Sequence, residues 1–259
     1  MSSSNSLLDT ILEPGSLSVV FQPIFEVSGE QLKLFALEHF IRGPQGTNLT
    51  DPLVMFEYAR HKRAEILVDQ ACLTTILQTI SEAGHHYPVT INVQAATISR
   101  LHDFPEFLLN LAEINRISPA RLTLEIVETS QNWDTALLRP VVQQLRSAGI
   151  RIALSGFGGH QSNYHLLLEC EPDFIKPDAC LIRRSGSDRR RRRILQSMAE
   201  LAREFNVRII ATGIEQTADY EAVTDSGITL VQGFLFAGIL PAGVRAESET
   251  VIQVHALHQ

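Results

Sequence analysis

Short apolar runs alternate with amphipathic segments along most of the chain. The runs have the length and composition of buried β-strands, and they occupy residues 17–25, 32–40, 88–93, 121–127, 149–154, 173–177, 207–213 and 227–233. Between most of them, apolar residues recur three and four positions apart, as on one face of a helix. These helical faces are carried by residues 66–80, 107–114, 137–145 and 194–201. Eight strands alternating with helices in 259 residues predict an α/β fold, a (β/α)8 barrel of the TIM type.

The first two runs are joined only by the short segment EVSGEQ, residues 26–31. A connection this short favours a hairpin, so one strand of the barrel is expected to be antiparallel. The predicted fold is therefore a modified barrel. A doubly wound open sheet is the alternative, but no GxGxxG motif follows the first strand.

Composition narrows the class of protein. Hydrophobic residues make up 44% of the chain, enough for one large core, and no apolar run approaches the ~20 residues that span a bilayer. The N-terminus lacks the pattern of a signal peptide. Cys72, Cys170 and Cys180 have no paired spacing, which argues against a disulfide framework or a zinc site. We therefore expect a cytoplasmic protein without a membrane span.

The net charge of −7 argues against direct nucleic-acid binding. One local exception is RRSGSDRRRRR, residues 183–193, which contains seven arginines and ends in the run Arg189 to Arg193. The ordinary interpretation is a solvated loop followed by a first helical turn. The alternative is a surface for an acidic partner or for phosphates, because arginines in a first turn oppose the helix dipole.

In a barrel of this type, the chemistry lies at the C-terminal ends of the strands. Polar residues end seven of the predicted strands, and they are Glu38, Asn92, Glu125, Ser155, Lys176, Thr212 and Gln232. Two carboxylates, an amide and a lysine brought together by topology predict a site for a metal ion or an anionic ligand.

Several motifs in these strands also occur, in the same order, in one known family. They are FQPIF, ALEHFIRGP, TINVQ, LEIVETS, FIKPD, IIATGIE and VQGFLF. The chain resembles the EAL domains, bacterial modules that hydrolyse or bind cyclic di-GMP. The resemblance covers residues 16–245, so we expect a lead segment at 1–15, the barrel domain, and a C-terminal tail at 246–259.

The resemblance fails at RIALSGFGG, where the family pattern is Ile-Ala-Leu-Asp-Asp-Phe-Gly-Thr-Gly. Ser155 and Gly156 replace the paired metal-binding aspartates, Thr212 replaces a glutamate of active members, and His39-Phe40 alters the motif that names the family. Active members are understood to use two divalent metals. The resemblance therefore implies a degenerate member that requires no cofactor. At most, a weak Mg²⁺ or Mn²⁺ site would remain at Glu38, Asn92 and Glu125.

Many of the ligand-binding residues that the resemblance implies are retained. The candidate ligand-binding residues are Gln22, Glu38, Arg42, Asn92, Lys176, Glu215 and Gln232. Arg42 matches an arginine that contacts a ligand phosphate, which suits a bidentate guanidinium. Glu38, Lys176 and Glu215 would then be vestiges of the catalytic set. The alternative is that Glu125, Lys176 and Glu215 form a buried ion network kept for stability.

Two segments argue against ligand binding, since residues 238–241 and the loop after Gly158 depart from the family pattern. His160, in that loop, is a weak candidate for a replacement metal ligand. Three functions stay open: an inactive receptor that binds cyclic di-GMP and relays it to a protein partner, a nucleotide-independent interaction protein, and a weak phosphodiesterase. Relatives often dimerise, so a homodimer is also a possibility.

Overall fold

The computed structural model describes residues 6–127, 135–159, 164–241 and 251–253. The α-helices are α1 (Leu7–Leu12), α2 (Pro52–His61), α3 (Glu65–Ala83), α4 (Ala95–Arg100), α5 (Phe104–Ile114), α6 (Thr135–Ser147), α7 (Tyr164–Cys170), α8 (Ala179–Ile182), α9 (Arg189–Glu204) and α10 (Thr217–Asp225). The β-strands are β1 (Ser18–Ser28), β2 (Gln31–Arg42), β3 (Val89–Gln94), β4 (Leu122–Val127), β5 (Arg151–Phe157), β6 (Phe174–Pro177), β7 (Arg208–Ala211), β8 (Leu230–Val231), β9 (Leu240–Pro241) and β10 (Val251–Gln253). Short 3₁₀-helices occupy Asn48–Thr50 and Pro119–Arg121.

Strands β2 to β8 lie side by side in chain order and run parallel, and β1 closes the barrel. β1 pairs antiparallel with both β2 and β8. The turn between β1 and β2 contains Gly29 at a φ of 61°, a conformation that favours glycine. The modified barrel with one antiparallel strand is thus confirmed, and the open-sheet alternative is wrong. β9 and β10 add antiparallel pairings to β1 and β2.

The predicted helical faces fall within α3, α5, α6 and α9 and pack on the outside of the barrel. Leu73, Leu77 and Leu195, for example, have no exposed surface. Some residues assigned to these faces are nevertheless exposed. They are Leu67, Ile114, Leu137 and Ile194.

The two ends of the chain contribute structure that the sequence pattern did not indicate. Within the predicted lead segment, Ser6 and Asp9 form a capping box that begins α1, and Ile11 packs into the core with 1% of its surface exposed. Within the predicted tail, β10 pairs with β2. All three cysteines are free. Across the described ranges, no helix is long and apolar enough to cross a bilayer.

The barrel interior is filled in layers, as the alternation of side chains along each strand requires. The apolar floor is a cluster of buried residues from six strands: Ile24, Ala36, Ala153, Phe174, Ile210 and Leu230. Residues two positions further toward the C-terminal mouth point the same way and form the next layer. That layer contains Gln22, Glu38, Ser155, Lys176, Thr212 and Gln232, with Asn92 and Glu125 from β3 and β4. The fold therefore delivers one polar residue per strand to the mouth.

Candidate functional site

An ion network with Lys176 at its centre fills the mouth of the barrel. The Nζ atom of Lys176 donates to Glu38 Oε2 at 2.6 Å and to Glu125 Oε2 at 2.7 Å. All three residues are buried, with at most 5% of their surface exposed. Three strands that are distant in sequence thus bring one ammonium group between two carboxylates.

Glu38 accepts further hydrogen bonds from two amides. Gln232 Nε2 donates to Glu38 Oε2 at 2.8 Å, and Asn92 Nδ2 donates to Glu38 Oε1 at 3.3 Å. Burial opposes ionisation of Glu38, but the charge of Lys176 and the hydrogen bonds from Lys176, Gln232 and Asn92 hold its pKa below the ordinary value. Glu38 is therefore an ionised carboxylate at neutral pH.

Glu125 has the opposite character. Burial raises its pKa to about 7 and the charge of Glu38 acts in the same direction, while Lys176 and a hydrogen bond with Ser155 oppose the rise. The pKa of Lys176 is raised despite its burial, because both glutamates attract its charge. The network thus contains an ion pair between Lys176 and Glu38. Its second carboxyl group, that of Glu125, titrates near neutral pH.

Strand β5 ends in a bulge next to this network. Its pairing with β6 shifts register between Leu154 and Phe157, so Ser155 and Gly156 lie in the irregularity. Gly156 has a φ of 64°, and a Cβ atom placed on it would meet no heavy atom within 4 Å. The chain after it is tightly packed, because a Cβ on Gly159 would approach Asp178 Oδ2 to 2.6 Å. The segment after the bulge is therefore held by its surroundings, while the space around Gly156 stays open.

The donors at the mouth do not fit a pair of divalent cations. Glu38 and Glu125 both bond to the ammonium group of Lys176, and Asn92 turns its amide nitrogen toward Glu38. Ser155 and Gly156 add no carboxylate, whereas Mg²⁺ prefers anionic oxygen ligands. In the part of the chain that the structure describes, no group of three or more His, Cys, Asp or Glu side chains is placed to hold a metal.

The remaining predicted site residues lie outside the ion network. Arg42, at the end of β2, donates from Nη1 to the carbonyl of Ile41 at 2.9 Å and forms no ion pair with a described carboxylate. Gln22 donates to the carbonyl of Ala237 at 3.1 Å. Thr212, directly after β7, is half-buried. Arg42 therefore keeps most of its guanidinium donors available at the rim of the mouth.

Glu215 does not join the buried network. It lies in the connection between β7 and α10, exposed, and pairs with Arg183 Nη2 at 3.1 Å. The prediction of a network made of Glu125, Lys176 and Glu215 is therefore wrong in one member, which is Glu38 in place of Glu215. The reason is geometric, since Glu215 lies beyond the end of β7 and not in its inward-facing layer. His160 lies outside the described residues.

His39 follows Glu38 and points to the opposite side of β2, away from the mouth. Its ring stacks on His85 with centroids 5.8 Å apart. Burial, helped by the charge of His85, lowers the pKa of His39 to about 4, so it is neutral at physiological pH. The altered position in the family's name motif thus serves packing behind the strand.

Sequence reasoning missed a cleft beside the mouth. It has a volume of about 480 Å³ and is lined by Phe40, Leu53, Phe56, Asn92 and neighbouring residues. Leu53, at the start of α2, is 74% exposed. The signal that could have found it is the pair of large apolar residues, Phe40 and Leu53, at a strand end and a helix start.

Comparison with known proteins agrees with this architecture. The EAL domain family model matches residues 4–238. The chain belongs to the EAL domain family. This EAL domain is 25% identical over 234 residues to the cyclic di-GMP phosphodiesterase PdeR of Escherichia coli K12, covering 89% of this chain and 35% of that protein. The chain thus spans about a third of that relative's length.

Two solved structures share the fold of this EAL domain. BlrP1 of Klebsiella pneumoniae, in a complex with calcium and cyclic di-GMP, superposes with a TM-score of 0.78 at 24% identity, over 94% of this chain and 59% of that one. The EAL domain of FimX from Xanthomonas citri, in complex with cyclic di-GMP, gives a TM-score of 0.79 at 16% identity, over 92% and 94%. Both likenesses establish the barrel of this EAL domain.

Proposed function

We propose that this EAL domain binds cyclic di-GMP at the barrel mouth without hydrolysing it, and relays binding to a protein partner. The observation that carries the proposal is the end of β5, where Ser155 and Gly156 bring no carboxylate to the mouth that Glu38 and Glu125 line. Lys176, which the family pattern also has, places a positive charge between Glu38 and Glu125 at the mouth.

Retained cationic and amide groups support dinucleotide binding. Cyclic di-GMP carries two phosphodiester charges, and Arg42 has a guanidinium free of described carboxylates at the rim. A guanidinium donates two parallel hydrogen bonds to a phosphate. Among similar proteins, PdeR is named a cyclic di-GMP phosphodiesterase, and BlrP1 and the FimX EAL domain were solved in complex with cyclic di-GMP.

The lack of hydrolysis follows from the donor set. Hydrolysis by two metals requires anionic ligands that offset the repulsion between the cations and hold the attacking water in line. Ser155 and Gly156 provide none at the end of β5, and Thr212 provides none after β7.

Calorimetry with cyclic di-GMP tests the proposal, performed once in EDTA and once with Ca²⁺. The expected result is saturable binding of similar affinity in both buffers. A parallel incubation with Mn²⁺, followed by chromatography of the nucleotides, should show no linear product. Hydrolysis at a rate typical of phosphodiesterases would contradict the receptor proposal and favour a phosphodiesterase.

A second candidate is an interaction protein that uses no nucleotide. It is favoured by Gln22, a predicted ligand-binding residue. Its side-chain nitrogen donates to the carbonyl of Ala237 in the same chain and is therefore already occupied. Absence of any binding heat at high micromolar dinucleotide would support this candidate. A homodimer also stays a prediction, to be checked by sedimentation of the same sample.

A further inference from the structure

A concave surface lined by arginines lies at the start of α9, away from the ion network. It has a volume of about 440 Å³, and its lining residues are Gly186, Ser187, Arg189, Arg192, Arg193 and Gln196. We call it the arginine face. Positions 189, 192, 193 and 196 share one side of the helix. The three guanidinium groups are permanent donors without acceptor capacity, and no acidic residue lines the surface.

The loop that carries this face is held firmly in place. Buried Asp219 accepts hydrogen bonds from the backbone N–H groups of Arg184 at 3.0 Å and of Gly186 at 2.9 Å. A Cβ atom on Gly186 would approach the carbonyl oxygen of Ala218 to 2.4 Å, so only glycine fits. Arg192 Nη2 in turn donates to the carbonyl of Gly186 at 2.8 Å. A surface built in this way is organised before a partner arrives.

Two neighbouring arginines, Arg183 and Arg191, are engaged locally, whereas two arginines of the face are not. Arg183 pairs with Glu215 at 3.1 Å, and Arg191 lies 3.9 Å from Asp188. Arg189 and Arg193 are exposed and form no ion pair with any carboxylate in the described ranges. Two unpaired guanidinium groups on a preformed concave surface are what an anionic partner needs.

The helix tolerates this crowding of positive charge through its cap. Asp188 accepts hydrogen bonds from the backbone N–H groups of Arg190 and Arg191 at 2.8 and 3.4 Å. The hydrogen bond from Arg190 is the largest influence that lowers the pKa of Asp188. Because the cap already occupies these amides, attraction for an anion comes from the guanidinium groups and not from the helix end.

We propose that the arginine face binds an acidic segment of a partner protein. From Arg189 to Gln196 the face runs for about 10 Å along the helix, which matches roughly three residues of extended chain. A short acidic segment therefore presents carboxylates at the spacing of the arginines. The net charge of −7 disfavours a long polyanion such as nucleic acid, which would also meet the acidic remainder of the surface. The inference goes beyond dinucleotide binding and does not depend on it.

The test measures fluorescence anisotropy of a labelled polyglutamate peptide of about ten residues against the full chain, at low salt and without dinucleotide. The test variant is Arg189→Gln with Arg193→Gln. The matched control, Arg190→Gln with Lys33→Gln, removes the same charge from exposed positions outside the face. We expect about a tenfold loss of affinity in the test variant and less than about twofold in the control. Exchange of both arginines for lysine should give an intermediate loss, since charge is kept but the bidentate geometry is not.

Three results would overturn the proposal. One is the absence of peptide binding at low salt. Another is an equal loss in the test and control variants, which would mean that only the general field of the chain attracts the peptide. The last is tighter binding of an oligothymidine of similar length, lost in the test variant, which would assign the face to nucleic acid. Cyclic di-GMP titrations of the same variants should match wild type, so failure of one proposal is separable from failure of the other.

Discussion

Lys176 and Glu125 face each other across β5, with Nζ and Oε2 2.7 Å apart and both side chains buried. Ser155, on the intervening strand, also hydrogen-bonds Glu125. At the mouth of this barrel, the negative charge of buried carboxylates is therefore balanced by a lysine of the same chain. A charge that the protein provides itself cannot be removed by a chelator, so the stability of the mouth should not depend on added metal.

Replacement of Lys176 by methionine should destabilise the protein. The change leaves the Glu38 carboxylate buried without its counter-ion, which typically costs about 3–5 kcal/mol of the free energy of unfolding. Urea denaturation at neutral pH measures the loss. The double variant Lys176→Met with Glu38→Gln should recover part of it, because the unpaired charge is gone. A single variant within about 1 kcal/mol of wild type would contradict a structural role for the ion pair.

Replacement of Glu125 by glutamine should change how stability depends on pH. The pKa of Glu125 in the folded state is about 7, above its ordinary value of 4.5, so the folded state holds the proton more tightly. Wild-type stability from this group is complete below the unfolded pKa and declines as pH rises through 7, by at most about 1.4 kcal/mol per pH unit. The Glu125→Gln protein lacks this decline.

The measurement is the difference between variant and wild-type free energies of unfolding at several pH values. The difference should shift in favour of Glu125→Gln between about pH 4.5 and 7 and then level off. Buried Asp69, whose pKa burial raises to about 7, titrates in the same window, so only the difference isolates Glu125. A flat difference would show that Glu125 ionises normally.

Replacement of Arg42 by alanine should weaken cyclic di-GMP binding. The side chain makes only one described hydrogen bond, to the carbonyl of Ile41, so thermal unfolding should change little. Loss of a charge-assisted contact to a phosphate predicts about a tenfold or greater rise in Kd. Calorimetry in EDTA measures the Kd, and Arg190→Gln serves as a control for general loss of positive charge. Unchanged affinity would remove Arg42 from the site.

Joint replacement of Ser155 and Gly156 by aspartate should create affinity for Mn²⁺. The position of Gly156 is sterically open, and aspartate is among the residues that tolerate its positive φ. Two added carboxylates should raise Mn²⁺ affinity over wild type by at least about tenfold, or about 1.4 kcal/mol. Calorimetry with the metal alone is the measurement. Equal Mn²⁺ affinity in both proteins would mean that carboxylates at these two positions do not act as metal ligands.

Several parts of the fold follow from local pattern. The connection predicted at residues 26–31 is too short for anything except a hairpin, and the structure shows β1 antiparallel to β2 with a turn at residues 29–30. The apolar faces of α3 and α9 follow from helical spacing. The sequence pattern did not predict burial correctly where contacts with elements distant in the sequence determine it. Ile11 is buried because α1 packs against α3, whereas Ile114, the last residue of α5, is exposed.

For the candidate site, too, the sequence predicted some features and not others. Glu38, Asn92, Glu125, Lys176 and Gln232 could each be assigned to a strand end and to one layer, because side chains alternate along a strand. Their bonding could not be assigned. Glu215 belongs to the motif that follows β7, yet it lies past the strand end and pairs outward with Arg183. The arginine face likewise required the loop at Gly186 to be in place.

The sequence by itself determined the barrel, the family and the replacement of two carboxylates by Ser155 and Gly156, since each depends on residue identity and local spacing. Only the tertiary structure decided that Lys176 bridges Glu38 and Glu125. Lys176 and Glu38 are 138 residues apart in the chain and meet because the barrel closes. Closure removes water from both carboxylates, and a buried charge must then find its partner within the protein.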